Sequence, residues 1–84
     1  MVGEARPVEV HLFAAARAAA GVPMVQVAAG PLAEVLAQVV REYPDLGAVL
    51  PRCSTLVDGL AATEDDVVVP GGGRVDVLPP FAGG

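Results

Sequence analysis

Residues 74–84 read RVDVLPPFAGG, an alternating segment that continues directly into a slender tail. Val75 and Val77 recur with the period of two that is typical of a strand with one buried face. Pro79 and Pro80 then hold φ near its extended value and disfavour a helix at the residue before each of them. The pattern predicts a last strand that leads straight into a stiff, extended stalk.

The tail beyond this stalk consists of residues with small side chains and one aromatic anchor. The anchor is Phe81, and Ala82, Gly83 and Gly84 follow it. Such small residues can enter a narrow channel where a larger side chain would clash. The reactive group would be the α-carboxylate of Gly84, which becomes an acyl donor only after its oxygen is converted into a leaving group, so we expect acyl adenylation. The alternative is an inert, frayed terminus.

The length and composition of the chain indicate one small domain. Its 84 residues can bury enough surface for a single core, and we predict a domain over residues 1–78 and a flexible tail over residues 79–84. Apolar residues make up 54% of the chain but form no run of the roughly 20 residues that a membrane span needs. Because no secretory signal follows Met1 and Cys53 has no partner for an internal disulfide, the expected location is the cytoplasm.

The charged residues favour a basic protein partner over nucleic acid. Acidic residues outnumber basic ones by ten to five, which gives a formal net charge of −5, and an acidic surface is unsuited to a phosphate backbone. All five basic residues are arginine. The chain therefore offers no lysine for isopeptide self-modification and lacks the usual Schiff-base residue.

Two alternating segments in the first third of the chain predict a β-hairpin. Their inward-facing residues are Val8, Val10 and Leu12 in the first segment and Val25 and Val27 in the second. This alternation is typical of half-buried strands. Between the segments, the alanine-rich residues 14–20 favour about two turns of helix or an irregular loop, which Gly21 ends.

The clearest helix follows Gly30. Pro31 is well tolerated at the first helical position, where its missing N–H removes no hydrogen bond. An apolar stripe follows at spacings of three and four residues, formed by Leu32, Val35, Leu36, Val39 and Tyr43. Pro44 ends the helix, and residues 45–51 predict a loop or a short helical turn.

The second half of the chain predicts short strands separated by tight turns. Residues 54–57 form the third strand, and the dipeptide Asp58-Gly59 favours a type I′ hairpin turn, which requires positive φ at both positions. A brief return strand follows the turn. Residues 67–69 predict a short strand or a core plug, and the three glycines at 71–73 predict a loop.

The order strand, strand, helix, strand, short strand, strand predicts an α+β fold of the β-grasp type. In this fold a mixed sheet of about five strands packs across one main helix, and the last strand lies beside the first. The predicted core consists of Val8, Val10, Leu12, Leu32, Val35, Leu36, Val39, Val75 and Val77.

Three motifs along the chain carry a resemblance to a known family. They are Leu12-Phe13-Ala14-Ala15-Ala16-Arg17 followed by Ala20-Gly21, then Val57-Asp58-Gly59, and finally Val75-Asp76-Val77-Leu78-Pro79-Pro80-Phe81-Ala82-Gly83-Gly84. Together they resemble the ubiquitin-like sulfur carriers of the MoaD/ThiS superfamily, and most closely the MoaD family, the small subunit of molybdopterin synthase. The tail is the most specific of the three motifs, and the resemblance spans nearly the whole chain.

The resemblance implies a non-catalytic sulfur donor. Gly84 would be adenylated by a MoeB-like activating enzyme that uses Mg-ATP and then converted into a thiocarboxylate, whose sulfur would pass to a pterin precursor inside a MoaE-like large subunit. The chain itself would bind no cofactor and no metal. Many relatives have a Gly-Asp turn before the last strand, where this chain has Gly71-Gly72-Gly73-Arg74, so we expect a looser turn there.

Three other functions are compatible with the same sequence. The thiocarboxylate could serve thiamine or cysteine biosynthesis, which would change only the receiving enzyme. The adenylated glycine could instead join the chain to target lysines as a ubiquitin-like protein modifier. The third alternative is an interaction domain with an inert tail.

The candidate partner-binding residues are Phe13, Leu78, Pro79, Pro80 and Phe81. Strand alternation places Phe13 and Leu78 on the face of the sheet away from the helix, and exposed apolar groups of this kind commonly mark docking surfaces. The alternative is that they are isolated exposed hydrophobic residues.

No residues in the chain form a recognisable catalytic or metal-binding set. A lone cysteine at the start of a strand, such as Cys53, is more often a small core residue than a persulfide relay. His11 has no second histidine, cysteine or neighbouring carboxylate motif, so we expect no metal there, and a single cysteine argues against an iron–sulfur cluster. The glycines at 71–73 lack the strand and helix context of a phosphate-binding loop.

Overall fold

A computed structural model describes residues 6–62 and 67–79, in which a mixed β-sheet packs against one main helix. The strands are β1 (Val8–Leu12), β2 (Met24–Val27), β3 (Gly30–Pro31), β4 (Ser54–Val57), β5 (Leu60–Ala61), β6 (Val68–Val69) and β7 (Arg74–Leu78). The helices are α1 (Ala15–Ala20), α2 (Leu32–Glu42) and α3 (Leu46–Val49), and a 3₁₀ turn over Leu50–Arg52 follows α3. The predicted α+β class is confirmed.

The main sheet has the strand order β2-β1-β7-β4-β5. β1 and β7 are parallel, with Val10 opposite Val75 and Leu12 opposite Val77, whereas the other neighbouring strands are antiparallel. The prediction that the last strand lies beside the first is therefore confirmed. Because β7 is the third of the five strands, the strand that carries the tail has a hydrogen-bonded neighbour on both sides.

The core lies between the main sheet and α2. On α2 the buried residues are Leu32, Val35 and Val39, at the spacing that the apolar stripe predicted. Leu36 was also predicted for the core but is only partly buried, because it lines an open groove with Leu50. The other buried apolar residues are Val8, Val10, Leu12, Ala16, Val25, Leu46, Val57, Val69, Val75 and Val77. Within the described ranges no polar or charged residue is buried, so apolar packing holds this core together.

Residues 67–69, which were predicted as a short strand or a core plug, contain a short strand and also contribute a side chain to the core. β6 pairs antiparallel with β3 in a separate small sheet, with Val68 opposite Pro31, and Val69 is fully buried. This pairing corrects the prediction for Pro31, which precedes α2 rather than forming its first residue. Proline fits this edge position because it has no N–H to donate, and the N–H of Leu32 instead bonds the carbonyl of Val67 at 2.7 Å.

Residues with positive φ shape the turn between β4 and β5 and both ends of α1. Asp58 and Gly59 have φ values of 48° and 86°, which confirms the predicted type I′ turn between β4 and β5. Gly21 ends α1 at a φ of 79° and donates its N–H to the carbonyl of Arg17 at 2.8 Å. Ala14 precedes α1 with a φ of 54°, a conformation that costs a residue with a side chain about 1–3 kcal/mol.

The three glycines before β7 form a turn that is held by hydrogen bonds. The N–H of Gly72 bonds the carbonyl of Pro7 at 3.0 Å, and the N–H of Gly73 bonds the carbonyl of Pro70 at 2.9 Å. The expectation that this turn is looser than the turn of relatives stays a prediction. The first of these bonds ties the turn to the residue that precedes β1, so the starts of the two parallel central strands are held together.

Gly73→Ala should destabilise the fold, because a Cβ there would lie 2.8 Å from the backbone oxygen of Pro70 and Gly73 is buried. We expect the free energy of unfolding to fall by about 1–3 kcal/mol, measured by urea denaturation. Gly47→Ala is the matched control, since its Cβ would meet only the Cγ1 of Val40 at 3.7 Å. Equal stability of the two variants would contradict the close packing described for this turn.

Candidate functional site

The tail starts at the exposed end of β7. Leu78, the last residue of the strand, pairs with Ser54 of β4. On the other side, the N–H of Phe13 bonds the carbonyl of Val77 at 3.1 Å. Both neighbouring strands thus support β7 up to its end, and the chain leaves the sheet at the exposed residue Pro79. We call this end of the sheet the tail root.

The rest of the predicted tail lies outside the residues that the structure describes. This applies to the predicted partner-binding residues Pro80 and Phe81 and to the predicted reactive end, Ala82, Gly83 and Gly84. The structure therefore fixes the point from which the tail departs. The roles of these five residues stay predictions.

The outer face, which is the side of the main sheet away from α2, is apolar near the tail root. Phe13 is 37% exposed and Leu78 is half-buried, so both predicted docking residues present apolar surface there. Leu56 and Ala61 extend this surface, because Leu56 pairs with Ala61 on β5 and with the outward-facing Asp76 on β7. The outer face can therefore bury apolar surface against a partner that receives the tail.

Leu56 and Ala61 were not identified from the sequence as residues of the outer face. For Leu56 a signal was present, because it precedes the buried Val57 and strand neighbours point to opposite faces. Ala61 follows only from the register of the hairpin, and one residue of slip would place it on the other face.

The half of the outer face farther from the tail root carries polar and charged side chains that pair with one another. The Nε of Arg74 donates to the Oδ1 of Asp76 at 2.7 Å, and the Nε2 of His11 lies 3.0 Å from the Oε1 of Glu9. The backbone N–H of Arg74 also donates to the Oδ1 of Asp58 at 2.8 Å. Glu9 corrects the expectation that His11 has no neighbouring carboxylate, since strand residues two apart share a face.

These polar and charged pairs can orient a partner but show no arrangement for metal binding. In residues 6–62 and 67–79, no cluster of three or more histidine, cysteine, aspartate and glutamate side chains has a geometry suited to a metal ion. The same part of the chain has no helix long and apolar enough to cross a bilayer. What the outer face offers is an apolar half for contact area and a charged half for electrostatic complementarity.

Cys53 lies just before β4 and packs against the core. Its Sγ donates to the carbonyl of Val49 at 3.4 Å, and burial raises the pKa of the thiol. Because the thiolate is the nucleophilic form, a raised pKa lowers the reactivity of this cysteine at neutral pH. The structure thus agrees with the interpretation of Cys53 as a packing residue.

At pH 7, Cys53 should react with iodoacetamide more slowly in the folded protein than in the urea-unfolded protein, because burial raises the pKa of the thiol and keeps it protonated. Mass spectrometry of timed samples measures both rates. Equal alkylation rates of the folded and the unfolded protein would contradict a packing role for Cys53.

Comparison with protein families identifies a relationship over almost the whole chain. Residues 10–84 match the model of the ThiS family. This range covers most of β1, the rest of the fold and the tail. No curated protein matches the chain significantly.

Solved structures share the fold at low sequence identity. The small archaeal modifier protein 1 from Haloferax volcanii has a TM-score of 0.82 and 24% identity, covering 93% of this chain and 99% of that one. Its counterpart from Methanosarcina acetivorans has a TM-score of 0.79 and 25% identity, covering 98% and 100%. A chain of the complex of subunits 1 and 2 of the molybdopterin-converting factor from Helicobacter pylori 26695 has a TM-score of 0.69 and 22% identity, covering 93% and 99%.

These similarities agree with the architecture described above. The order of the five strands around α2, with the first and last strands parallel at the centre, is the ubiquitin-like β-grasp that the solved structures share. The family match extends from β1 to Gly84, the residue that the sequence predicts as reactive. The chain belongs to the ThiS family, within the ubiquitin-like MoaD/ThiS superfamily.

Proposed function

We propose that this chain is a sulfur carrier whose Gly84 carboxylate is adenylated, converted into a thiocarboxylate and used as the sulfur donor for molybdopterin. The observation that carries the proposal is the central place of β7, which leads directly to the tail. A tail that reaches into another protein's channel needs a fixed root, and hydrogen bonds to β1 and β4 provide it. Membership of the ThiS family, with a match that includes the tail, supports the same function.

The chemistry needs only a free carboxylate from this chain. A Gly84 carboxylate oxygen attacks the α-phosphorus of ATP on a MoeB-like enzyme, and pyrophosphate leaves. A sulfide equivalent then attacks the acyl carbon, and AMP leaves with the former carboxylate oxygen. The product is a thiocarboxylate, with no change in the oxidation state of the acyl carbon. The chain itself supplies the acyl group and its presentation, and the activating enzyme supplies Mg-ATP and catalysis.

We further propose that the outer face docks on a MoaE-like large subunit while the tail occupies that subunit's active site. The structurally similar Helicobacter pylori chain comes from a complex of subunits 1 and 2 of the molybdopterin-converting factor, which supports a partner of this kind. Phe13, Leu78 and Leu56 would contribute apolar area, and the Arg74–Asp76 pair would help to fix orientation.

Phe81→Ala should weaken the complex with the large subunit, because aromatic anchors commonly dominate interfaces. We expect a loss of roughly 2 kcal/mol, which is about 30-fold in Kd, by isothermal titration calorimetry. The control is Arg41→Ala, which truncates a large exposed side chain on α2, on the other side of the sheet. Equal affinity of the Phe81 variant and the parent, with unchanged thermal unfolding, would remove Phe81 from the interface.

A ubiquitin-like modifier is the second candidate function, because two of the structurally similar proteins are small archaeal modifier proteins. Both functions begin with adenylation and differ in the group that attacks the acyl carbon. A lysine amine of a target protein would give an isopeptide bond. Transfer to thiamine or cysteine biosynthesis would differ from the proposed function only in the acceptor of the sulfur.

ATP–pyrophosphate exchange with the cognate activating enzyme tests the step that these functions share. We expect exchange that depends on the chain, and its absence would contradict the proposed function. The chain with its activated C-terminus is then offered separately to the large subunit with a pterin precursor, to the enzymes of thiamine and cysteine biosynthesis, and to a lysine-rich protein. Transfer of sulfur to the pterin precursor in the large subunit supports the molybdopterin pathway. Reaction with only one of the other acceptors would contradict that pathway and favour the function of that acceptor.

A further inference from the structure

We propose that the cleft between β5 and β6 is a second docking site, which binds an extended apolar segment of the activating enzyme. The inference rests on the proposed function, because it requires an enzyme that adenylates the tail. The cleft has a volume of about 380 Å³ and lies between Leu60, Ala61 and Ala62 on one side and Val67, Val68 and Pro70 on the other. Ala61 also belongs to the outer face, whereas Leu60 and Val68 do not.

The cleft brings together two unusually exposed apolar side chains. Leu60 is 74% exposed and Val68 is 65% exposed, compared with 37% for Phe13. Leu60 pairs with the buried Val57, so it belongs to the α2 side of the sheet and not to the outer face. A single exposed leucine needs no explanation, but two such side chains on the walls of one cleft mark a binding surface.

The backbone of β5 adds hydrogen-bonding capacity to this apolar surface. β5 is an edge strand of the main sheet. Val57 and Leu60 pair beside the turn, and the N–H of Ala62 bonds the carbonyl of Thr55 at 3.0 Å. The N–H and C=O of Ala61 therefore point away from β4, and within the described ranges neither has a backbone partner. An extended segment laid along β5 could pair with them, as in β-strand addition.

The size and charge of the cleft favour a larger partner over a second copy of this chain. Of the residues that the structure describes, eight line the cleft, whereas a stable specific interface takes roughly 20–30 residues on each side. Two copies joined here would have little contact area, and each carries a formal net charge of −5. The occupant should be part of a protein that also holds the tail, with neutral or basic side chains near Asp58 at the rim.

The cleft lies at the end of β7 opposite the tail root. The N–H of Asp58 bonds the carbonyl of Arg74 at 2.8 Å, at the start of β7, and the tail leaves after Leu78. Four residues at roughly 3.3 Å each separate these points by about 13 Å. A partner can therefore stay bound at the cleft while the tail reacts. The contact at the cleft is the same before and during adenylation. Binding of that kind affects KM and leaves kcat unchanged.

The test is ATP–pyrophosphate exchange by the cognate activating enzyme at varied concentrations of the chain. A double variant, Leu60→Ser with Val68→Thr, removes apolar surface from exposed positions. We expect about a tenfold rise in KM for the chain with an unchanged kcat, because the cleft contributes binding alone. The control is Ala33→Ser, at an exposed position on α2, which should keep the parent KM. Thermal unfolding of all three proteins checks that they remain folded.

An unchanged KM for the folded double variant would overturn the proposal. So would a fall in kcat with KM unchanged, since it would place the cleft in the chemical step. A concentration-dependent dimer of the parent in analytical ultracentrifugation, lost in the double variant, would assign the cleft to a second copy instead. These outcomes are distinct from failure of the proposed function, in which the parent chain supports no exchange at any concentration.

Discussion

Adding one alanine after Gly84, or deleting Gly84, should abolish thiocarboxylate formation and leave thermal unfolding unchanged. The extension moves the carboxylate beyond the point where the enzyme's reactive centre lies, and the deletion stops it short by one residue, about 3.3–3.6 Å. A displacement of even 1 Å in a reacting group can cost roughly 100-fold in rate. Intact mass after reaction with the activating enzyme, ATP and a sulfur source measures the effect.

The matched control adds the same alanine before Met1, which changes the length of the chain but not its C-terminal carboxylate. This variant should form the thiocarboxylate at the parent rate. The extended chain should show no mass gain from a sulfur-for-oxygen exchange at its new C-terminus. Such a gain would contradict the requirement that the reacting carboxylate belongs to Gly84, five residues after Pro79.

Leu12→Ala should destabilise the fold more strongly than Gly73→Ala. Leu12 is 1% exposed and pairs with Val77 at the centre of the main sheet. Truncating a buried leucine leaves a cavity and typically lowers the free energy of unfolding by about 2–5 kcal/mol. Because a domain of this kind has only about 5–15 kcal/mol in total, we expect a large fall in the urea midpoint.

Leu60→Ala is the matched control for Leu12→Ala, since the same atoms are removed from a side chain that is 74% exposed. A surface change of this kind usually alters stability by no more than about 0.5 kcal/mol. Similar losses for the two variants would contradict the assignment of Leu12 to the core and of Leu60 to the surface.

Local patterns in the sequence predicted most of the fold. The alternation around Val10 and Val75 identified the two strands that became the parallel central pair, because a sheet with one covered face requires apolar residues at every second position. Asp58-Gly59 predicted a hairpin turn because few other residues adopt positive φ twice in succession. The tail root was also predicted locally, because the alternation of Val75 and Val77 runs directly into Pro79.

The features that the sequence did not predict depend on contacts between distant segments. The pairing of Val68 with Pro31 joins residues that no local pattern connects, and it changed the position of Pro31 relative to α2. The hydrogen bond from Gly72 to Pro7 also joins segments that are distant in the sequence, and the three glycines alone do not predict it. The exposure of Leu60 also required the structure, because its apolar character and its place in a strand favoured burial.

The most direct test of the central claim is the intact mass of the chain after incubation with its cognate activating enzyme, ATP and a sulfur source. We predict a gain equal to one sulfur-for-oxygen exchange, located by fragmentation at Gly84 and dependent on ATP. An unchanged mass, or a sulfur located at Cys53, would contradict the proposal that this chain carries sulfur at its C-terminal glycine.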